Sequence, residues 1–199
     1  MNRAPGARVC TDMQKAIVVA LLVALFWTLS PTKAQETSKV DLYGGYDYVR
    51  YNARPRISGV PPSESANANG LSGQFTYNPY SLLGLVAELS GYAVARQAFN
   101  TTYQISYLFG PRVKIRRGKI TPFAQVLLGR VWAEDGFTFG SVTAFGTTAG
   151  GGIDLRVTRH MAIRLGQAEY LLTKFADGNN NRQNSFRFGT GIVLRFGER

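Results

Sequence analysis

Eleven charged residues carry the chemistry that this sequence places with a regular spacing. Asp41, Asp47, Glu88, Asp154 and Glu169 stand against Arg112, Lys114, Arg156, Arg164, Arg187 and Arg195. Each lies in a segment where large apolar residues alternate with small or polar ones, and each falls on the small or polar side. Both signs are present on that side. A desolvated charge survives only when it is paired and hydrogen-bonded. The pattern therefore predicts a buried network of ion pairs. Catalysis would need something else. Acyl or peptidyl chemistry asks for a nucleophile with a histidine and a carboxylate close by. The chain has one histidine, His160, set in "TRHMA" without a neighbouring acid. It reads as a solvated turn residue. A structural or catalytic zinc would need further histidines or cysteines. The single cysteine, Cys10, lies ahead of an apolar run that is expected to be removed. "AGGGID" (149–154) has three glycines but does not join a strand to a helix, so it is no phosphate loop. Those glycines are expected to let a strand curve or to leave room for large neighbours. No cofactor, metal or catalytic residue is expected.

The elements that must carry these charges repeat every two residues, the signature of strands. In 40–51, Val40, Leu42, Tyr46 and Tyr48 oppose Asp41, Tyr43 and Asp47. In 71–77, Leu71, Phe75 and Tyr77 oppose Ser72, Gln74 and Thr76. In 82–94, Leu83, Leu85, Ala87, Leu89 and Ala93 oppose Gly84, Glu88, Ser90 and Tyr92. In 101–115, Tyr103, Ile105, Tyr107, Phe109, Val113 and Ile115 oppose Gln104, Ser106, Arg112 and Lys114. The segment 121–133 puts Ala124, Val126 and Leu128 opposite Gln125 and Gly129, but Arg130 then falls on the apolar side. A bulge or a rim position is expected there. In 141–157, Phe145, Thr147, Ala149, Ile153, Leu155 and Val157 oppose Asp154 and Arg156. The segment 161–175 changes phase between Leu165 and Ala168, which predicts a bulge near Gly166. The last segment, 184–196, sets Phe186, Phe188, Ile192, Leu194 and Phe196 against Arg187, Val193 and Arg195. Eight strands follow, at about 39–52, 71–77, 82–94, 101–116, 121–133, 141–157, 161–175 and 184–196.

The start of the chain has a separate purpose. "AIVVALLVALFWTL" (16–29) is apolar, follows Arg3, Arg8 and Lys15, and precedes "SPTKAQ". A basic stretch, a short apolar run and a small-x-small site make a secretory signal peptide. Thr32 and Ala34 suit its −3 and −1 positions, so cleavage is expected after Ala34. Residues 1–34 are then the signal and 35–199 a single domain. A retained N-terminal anchor is the alternative, but the run is short for a span. Among 199 residues there are 22 glycines, 12 phenylalanines and 10 tyrosines, with 18% charged. That composition suits many strands and tight turns. The formal charge of +11 would fit nucleic acid in another context, but an export signal argues against that partner.

The connections distinguish two ends. "NPYS" (78–81), "RGKI" (117–120) and "TRHM" (158–161) are tight. The stretches 52–70, 95–100, 134–140 and 176–183 are longer and rich in Gly, Asn, Ser or Pro. Strict alternation of short and long connections predicts an antiparallel up-and-down barrel. A soluble barrel would turn its apolar side inward. A membrane barrel turns it outward and keeps short turns at the periplasmic end. Strands of about ten residues suffice to cross at a tilt. A closed eight-stranded barrel is too narrow for a water channel, so its interior must be filled by side chains. The charges then go inside, and closure leaves no strand edge facing lipid.

"DLYGGYDYVRY", "ITPFAQVLLG", "AGGGIDLRV" and "GTGIVLRF" carry a resemblance to the small eight-stranded outer-membrane barrels. These are the OmpA-type transmembrane domain, the OmpX-like proteins and the broad outer-membrane β-barrel domain family. The resemblance spans about residues 39–196. It implies a monomeric, non-enzymatic protein of the bacterial outer membrane, structural or surface-interacting. It also implies contact with outer-membrane lipids and lipopolysaccharide, and insertion by the barrel-assembly machinery. The C-terminal assembly signal of such barrels has a glycine followed by alternating apolar or aromatic residues. Gly191, Leu194 and Phe196 match it, although "GER" follows the aromatic. A narrow pore is the alternative function. A lipid A-modifying enzyme is a further one, disfavoured by the position of His160. Glu134 and Asp135 form an acidic pair in an outer connection, where a lipopolysaccharide-bridging cation or plain solvent could meet them.

Overall fold

Aromatic and β-branched residues alternating with glycine, serine and charge favour a pleated surface with two different faces. The computed structural model describes residues 38–52, 66–96, 100–134, 141–174 and 183–198, and they form eight strands. These are β1 (Ser38–Asn52), β2 (Ala66–Tyr77), β3 (Leu83–Arg96), β4 (Asn100–Lys114), β5 (Ile120–Glu134), β6 (Ser141–Arg156), β7 (Met161–Lys174) and β8 (Gln183–Glu198). Each pairs antiparallel with its sequence neighbours. β8 returns to pair with β1, through Val40↔Phe196 and Tyr48↔Phe188, and so closes the barrel. The expected signal segment, its cleavage site at Ala34, Asp135 and most of the outer connections lie outside the described residues.

The turns at one end are short for local reasons. Between β4 and β5, Arg117 and Ile120 exchange backbone hydrogen bonds of 2.8 and 3.1 Å. Gly118 lies between them with φ of +61°. A two-residue hairpin turn needs a positive φ at its first central position, which glycine adopts without strain. At the other end two expectations change. β2 starts at Ala66 rather than 71, because "ANANG" continues the backbone ladder with β1 although it has no large apolar residues to alternate. The connection expected across 95–100 shrinks to 97–99, since Arg96 and Asn100 are already paired. The alternation of short and long connections therefore fails at that one position.

The bulge expected near Gly166 is present as a register shift between Arg164 and Gln167 in the β7–β8 ladder. The β6–β7 ladder shows the same bulge from its other side: β6 runs on from Ile153 to Asp154 while their partners on β7 step from Gly166 to Arg164, so Leu165 is the extra residue. At Arg130 the β5 ladders run without a shift, through Arg130↔Tyr107 and Arg130↔Phe145. Arg130 points outward and exposed near the outer end of β5, so it is a rim residue and no bulge.

The two faces are inverted relative to a soluble protein. Leu71 and Leu89 are 69% and 61% exposed, whereas Arg164 and Arg187 are 0% and 1% exposed. Large apolar residues from all eight strands form the outer surface. The interior is mainly polar, with three small apolar clusters among the charges. These are Val49, Ala68 and Tyr92; Tyr43, Ala162 and Val193; and Val86, Leu108 and Leu127.

Candidate functional site

The site is the lumen. Strand alternation sends Asp41, Asp47, Glu88, Arg112, Lys114, Asp154, Arg164, Glu169, Arg187 and Arg195 to the inner face, all buried. Arg156 also belongs to β6 but is only half-buried.

Arg187 on β8 is the hub. Its Nε donates to Glu169 Oε2 at 2.8 Å, and its Nη2 also contacts that oxygen. Its Nη1 and Nη2 donate to the two oxygens of Glu88 at 2.5 and 2.9 Å. Nη1 further donates to the Tyr92 hydroxyl at 2.7 Å, which donates in turn to Asp47 at 3.3 Å. Asp47 therefore joins the network through a phenol, with no direct ion pair among the described residues. Arg187 is a cation clamped between two carboxylates, the arrangement that makes a buried charge tolerable.

Arg164 forms the second centre. Its Nε donates to Asp154 at 2.8 Å, and its Nη1 to Gln74 and Gln167 at 2.7 and 2.5 Å. Its guanidinium lies 4.0 Å from the Tyr43 ring centroid and 4.4 Å from that of Phe123. Arg112 stacks on the same Phe123 ring at 4.4 Å. These contacts are close enough for cation–π attraction.

Arg112 departs from the expected pattern of ion pairs. It makes no salt bridge among the described residues. Its Nε donates to Gln125 at 2.8 Å and its Nη1 to Thr76 at 3.3 Å, while its Nη2 meets Gln74 and Gln125. The glutamines connect the charges. Gln74 accepts from Arg112 and Arg164 and donates to Glu88 at 2.7 Å. Gln125 accepts from Arg112 and donates to Glu169 at 2.5 Å. Gln74 and Gln125 were placed on the polar face by alternation, but nothing local marks them as connectors. Gln167 was hidden by the bulge.

Lys114 pairs with Asp41 at 2.7 Å, and Asp41 also accepts from Ser38 at 2.5 Å and Asn78 at 3.0 Å. Arg156 and Arg195 form no ion pair among the described residues. They lie toward the same end of the barrel as Lys114, and no side-chain hydrogen bond joins them to the network among the described residues.

The glycines of "AGGGID" leave room, as one of the two expectations held. A Cβ on Gly152 would come within 2.8 Å of Phe123 Cζ, and one on Gly150 within 2.7 Å of Glu169 Cγ. Gly191 lies beside Tyr43 in the same way, at 2.8 Å from Cε2. Leu194 and Phe196 point outward. His160 is exposed in the turn 157–160, where its carbonyl accepts from the Arg195 amide at 2.8 Å. Glu134 ends β5. Among the described residues no group of three His, Cys, Asp or Glu side chains could hold a metal ion.

A closed, antiparallel, eight-stranded up-and-down barrel, apolar outside and ion-paired inside, is the fold of the small outer-membrane β-barrels. No family model matches the chain, and no curated protein matches it. Solved structures do. Neisserial surface protein A is 13% identical with a TM-score of 0.59, over 80% of this chain and 98% of its own. Ail, the attachment invasion locus protein of Yersinia pestis, is 14% identical with a TM-score of 0.52, over 80% of this chain and 99% of its own. The outer membrane protein OprG of Pseudomonas aeruginosa is 13% identical with a TM-score of 0.51, over 83% and 99%. At these identities the likeness is one of fold.

Proposed function

We propose that this chain is an exported, non-enzymatic, monomeric β-barrel of the bacterial outer membrane, structural or surface-interacting, whose lumen is closed by its own side chains. The observation that carries the reading is Arg187. It is buried in the centre of the barrel between Glu88 and Glu169, while leucines and aromatics face outward on every strand. Water on the outside would leave that surface without a partner, and lipid supplies one. Export by the segment 16–29 and cleavage after Ala34 agree with this location. Lipids and lipopolysaccharide would surround the apolar belt. Gly191, Leu194 and Phe196 would serve the assembly machinery. The names of two neighbours, a surface protein and an attachment-invasion protein, support a role at the cell surface. Nothing around His160 supports catalysis, since it sits exposed on a turn at the end that would face the periplasm.

A plugged lumen should not conduct. Purified protein in planar bilayers is expected to give no stable single-channel steps, and reproducible steps would replace this reading by that of a narrow pore. Membrane fractionation with heat-modifiable gel mobility checks the location. Recovery as a soluble periplasmic protein would overturn it.

A further inference from the structure

The charges of the lumen are unevenly divided along the barrel. Around the hub, four carboxylates (Asp47, Glu88, Asp154, Glu169) meet three guanidiniums (Arg112, Arg164, Arg187). At the end that carries the turns 78–82, 115–119 and 157–160, the balance reverses. Lys114, Arg116, Arg156 and Arg195 lie toward that end, and the described carboxylate beside them is Asp41, which pairs with Lys114 and stands in register with Arg195.

Asp41 is already engaged. Lys114 Nζ, Ser38 Oγ and Asn78 Nδ2 all donate to it. Arg195 is its register partner on β8, yet no ion pair joins them. Arg195 is 7% exposed, and its Nε has no hydrogen-bond partner among the described residues. Arg116 Nη2 donates to Ser38 Oγ at 3.2 Å, while its buried Nη1 has no partner there either. Burial, and after it the charges of Arg195 and Arg156, push the Arg116 guanidinium below its ordinary pKa, against an upward pull from Asp41. The backbone brings the three residues to the same end: the Arg156 amide donates to the Lys119 carbonyl of the 115–119 turn at 2.7 Å, Arg116 reaches Ser38 on β1, and Arg195 pairs in register with Asp41 three residues on. Around them Arg117, Lys119 and Arg159 are exposed on the turns and add to the positive field.

Buried guanidinium donors that point at nothing are costly, and nature seldom leaves them so. Guanidiniums with unpartnered donors at one mouth suit a tetrahedral oxyanion, because each planar fork can give two parallel hydrogen bonds. The geometry points to a phosphate-binding site at the turn-side mouth of the barrel, formed by Arg116, Arg156 and Arg195. The excess of positive charge fits a multiply charged oxyanion better than a single carboxylate. Two sources present that chemistry, free inorganic phosphate and the headgroup of an anionic phospholipid. The lipid source rests on the membrane location proposed above, and the free anion does not.

The full chain, refolded in a zwitterionic detergent, is titrated calorimetrically with inorganic phosphate at low ionic strength. In parallel it is reconstituted in vesicles of phosphatidylcholine alone or with phosphatidylglycerol, and its unfolding is followed. Arg195→Gln and Arg156→Gln are compared with Arg130→Gln, which alters the outer face at the opposite end. Saturable phosphate binding, weakened about tenfold by Arg195→Gln or Arg156→Gln and unchanged by Arg130→Gln, establishes the site for the free anion. Added stability in phosphatidylglycerol that the same two variants abolish, without phosphate binding in detergent, establishes it for the lipid headgroup. If neither arm depends on Arg195 or Arg156, the proposal is overturned. That outcome includes the case in which a carboxylate of the chain itself occupies the mouth. Should Arg195→Gln not give the compact, heat-modifiable form, the half-exposed Arg156→Gln carries the test. Failure of the membrane fractionation alongside successful phosphate binding would overturn the location and leave the site standing.

Discussion

Arg187 directs its guanidinium at two carboxylates and a phenol, and Arg164 stacks between Tyr43 and Phe123 while it pairs with Asp154. At this scale the lumen is held by matched buried charges, so removing one partner should cost more than removing a solvated charge. Glu88→Ala or Glu169→Ala removes one of the two carboxylates that clamp Arg187 and leaves the guanidinium donors on that side unpaired, for a loss of about 1–3 kcal/mol. Glu64→Ala, in the outer connection 53–65, should change stability by less than about 0.5 kcal/mol. Urea unfolding in detergent micelles measures both, and equal losses would count against the network. Alternation told which residues share the inner face. It did not tell that Arg187 meets Glu88, 99 residues away, or that Gln74 and Gln125 link Arg112 to the carboxylates.

Among the elements, β7 and β8 show how local irregularity serves the barrel. The shift between Arg164 and Gln167 lets Arg164 point inward early in β7 and Glu169 point inward later. Without it one of the two would face lipid. This phase change was legible because Ile163 and Leu165 sit out of step with Ala168 and Tyr170. The β6–β7 ladder shifts opposite Ile153 and Asp154 for the same reason, since Leu165 is the extra residue on β7. β8 also ends on outward-facing Leu194 and Phe196, beside β1, where closure occurs. If that end is read during insertion, Phe196→Ala should reduce the folded protein recovered from outer membranes several-fold. The same variant should still refold spontaneously in detergent, since its lost packing is against lipid. Equal impairment in cells and in detergent would reduce Phe196 to a packing role.

For the whole molecule, the decisive property is which side of the closed sheet is apolar. Val126 stands outward in the middle of β5 and is 47% exposed. An arginine there would meet hydrocarbon at mid-depth, where a basic residue costs about 2–4 kcal/mol. Val126→Arg should therefore lower stability in phospholipid bilayers by that amount. Arginine already occurs naturally at the outer rim, at Arg130. Unfolding titrations in large vesicles test the difference, and an unchanged midpoint would argue that this face does not meet lipid. Closure through β1 and β8 also removes the free edges that an open sheet of this composition would expose.

The sequence by itself determined the strands, the two unlike faces, the bulge near Gly166 and the sign of the buried charges. All of these follow from residues two apart along one strand, which is a local property. The tertiary structure decided the partners. Closure brings strands distant in the chain around one narrow lumen. The register then selects which carboxylate meets which guanidinium, and where a glutamine or a phenol must stand between them. It also left Arg116, Arg156 and Arg195 together at one mouth with Asp41 already taken, because the charge balance of a buried volume is set by all the strands that line it.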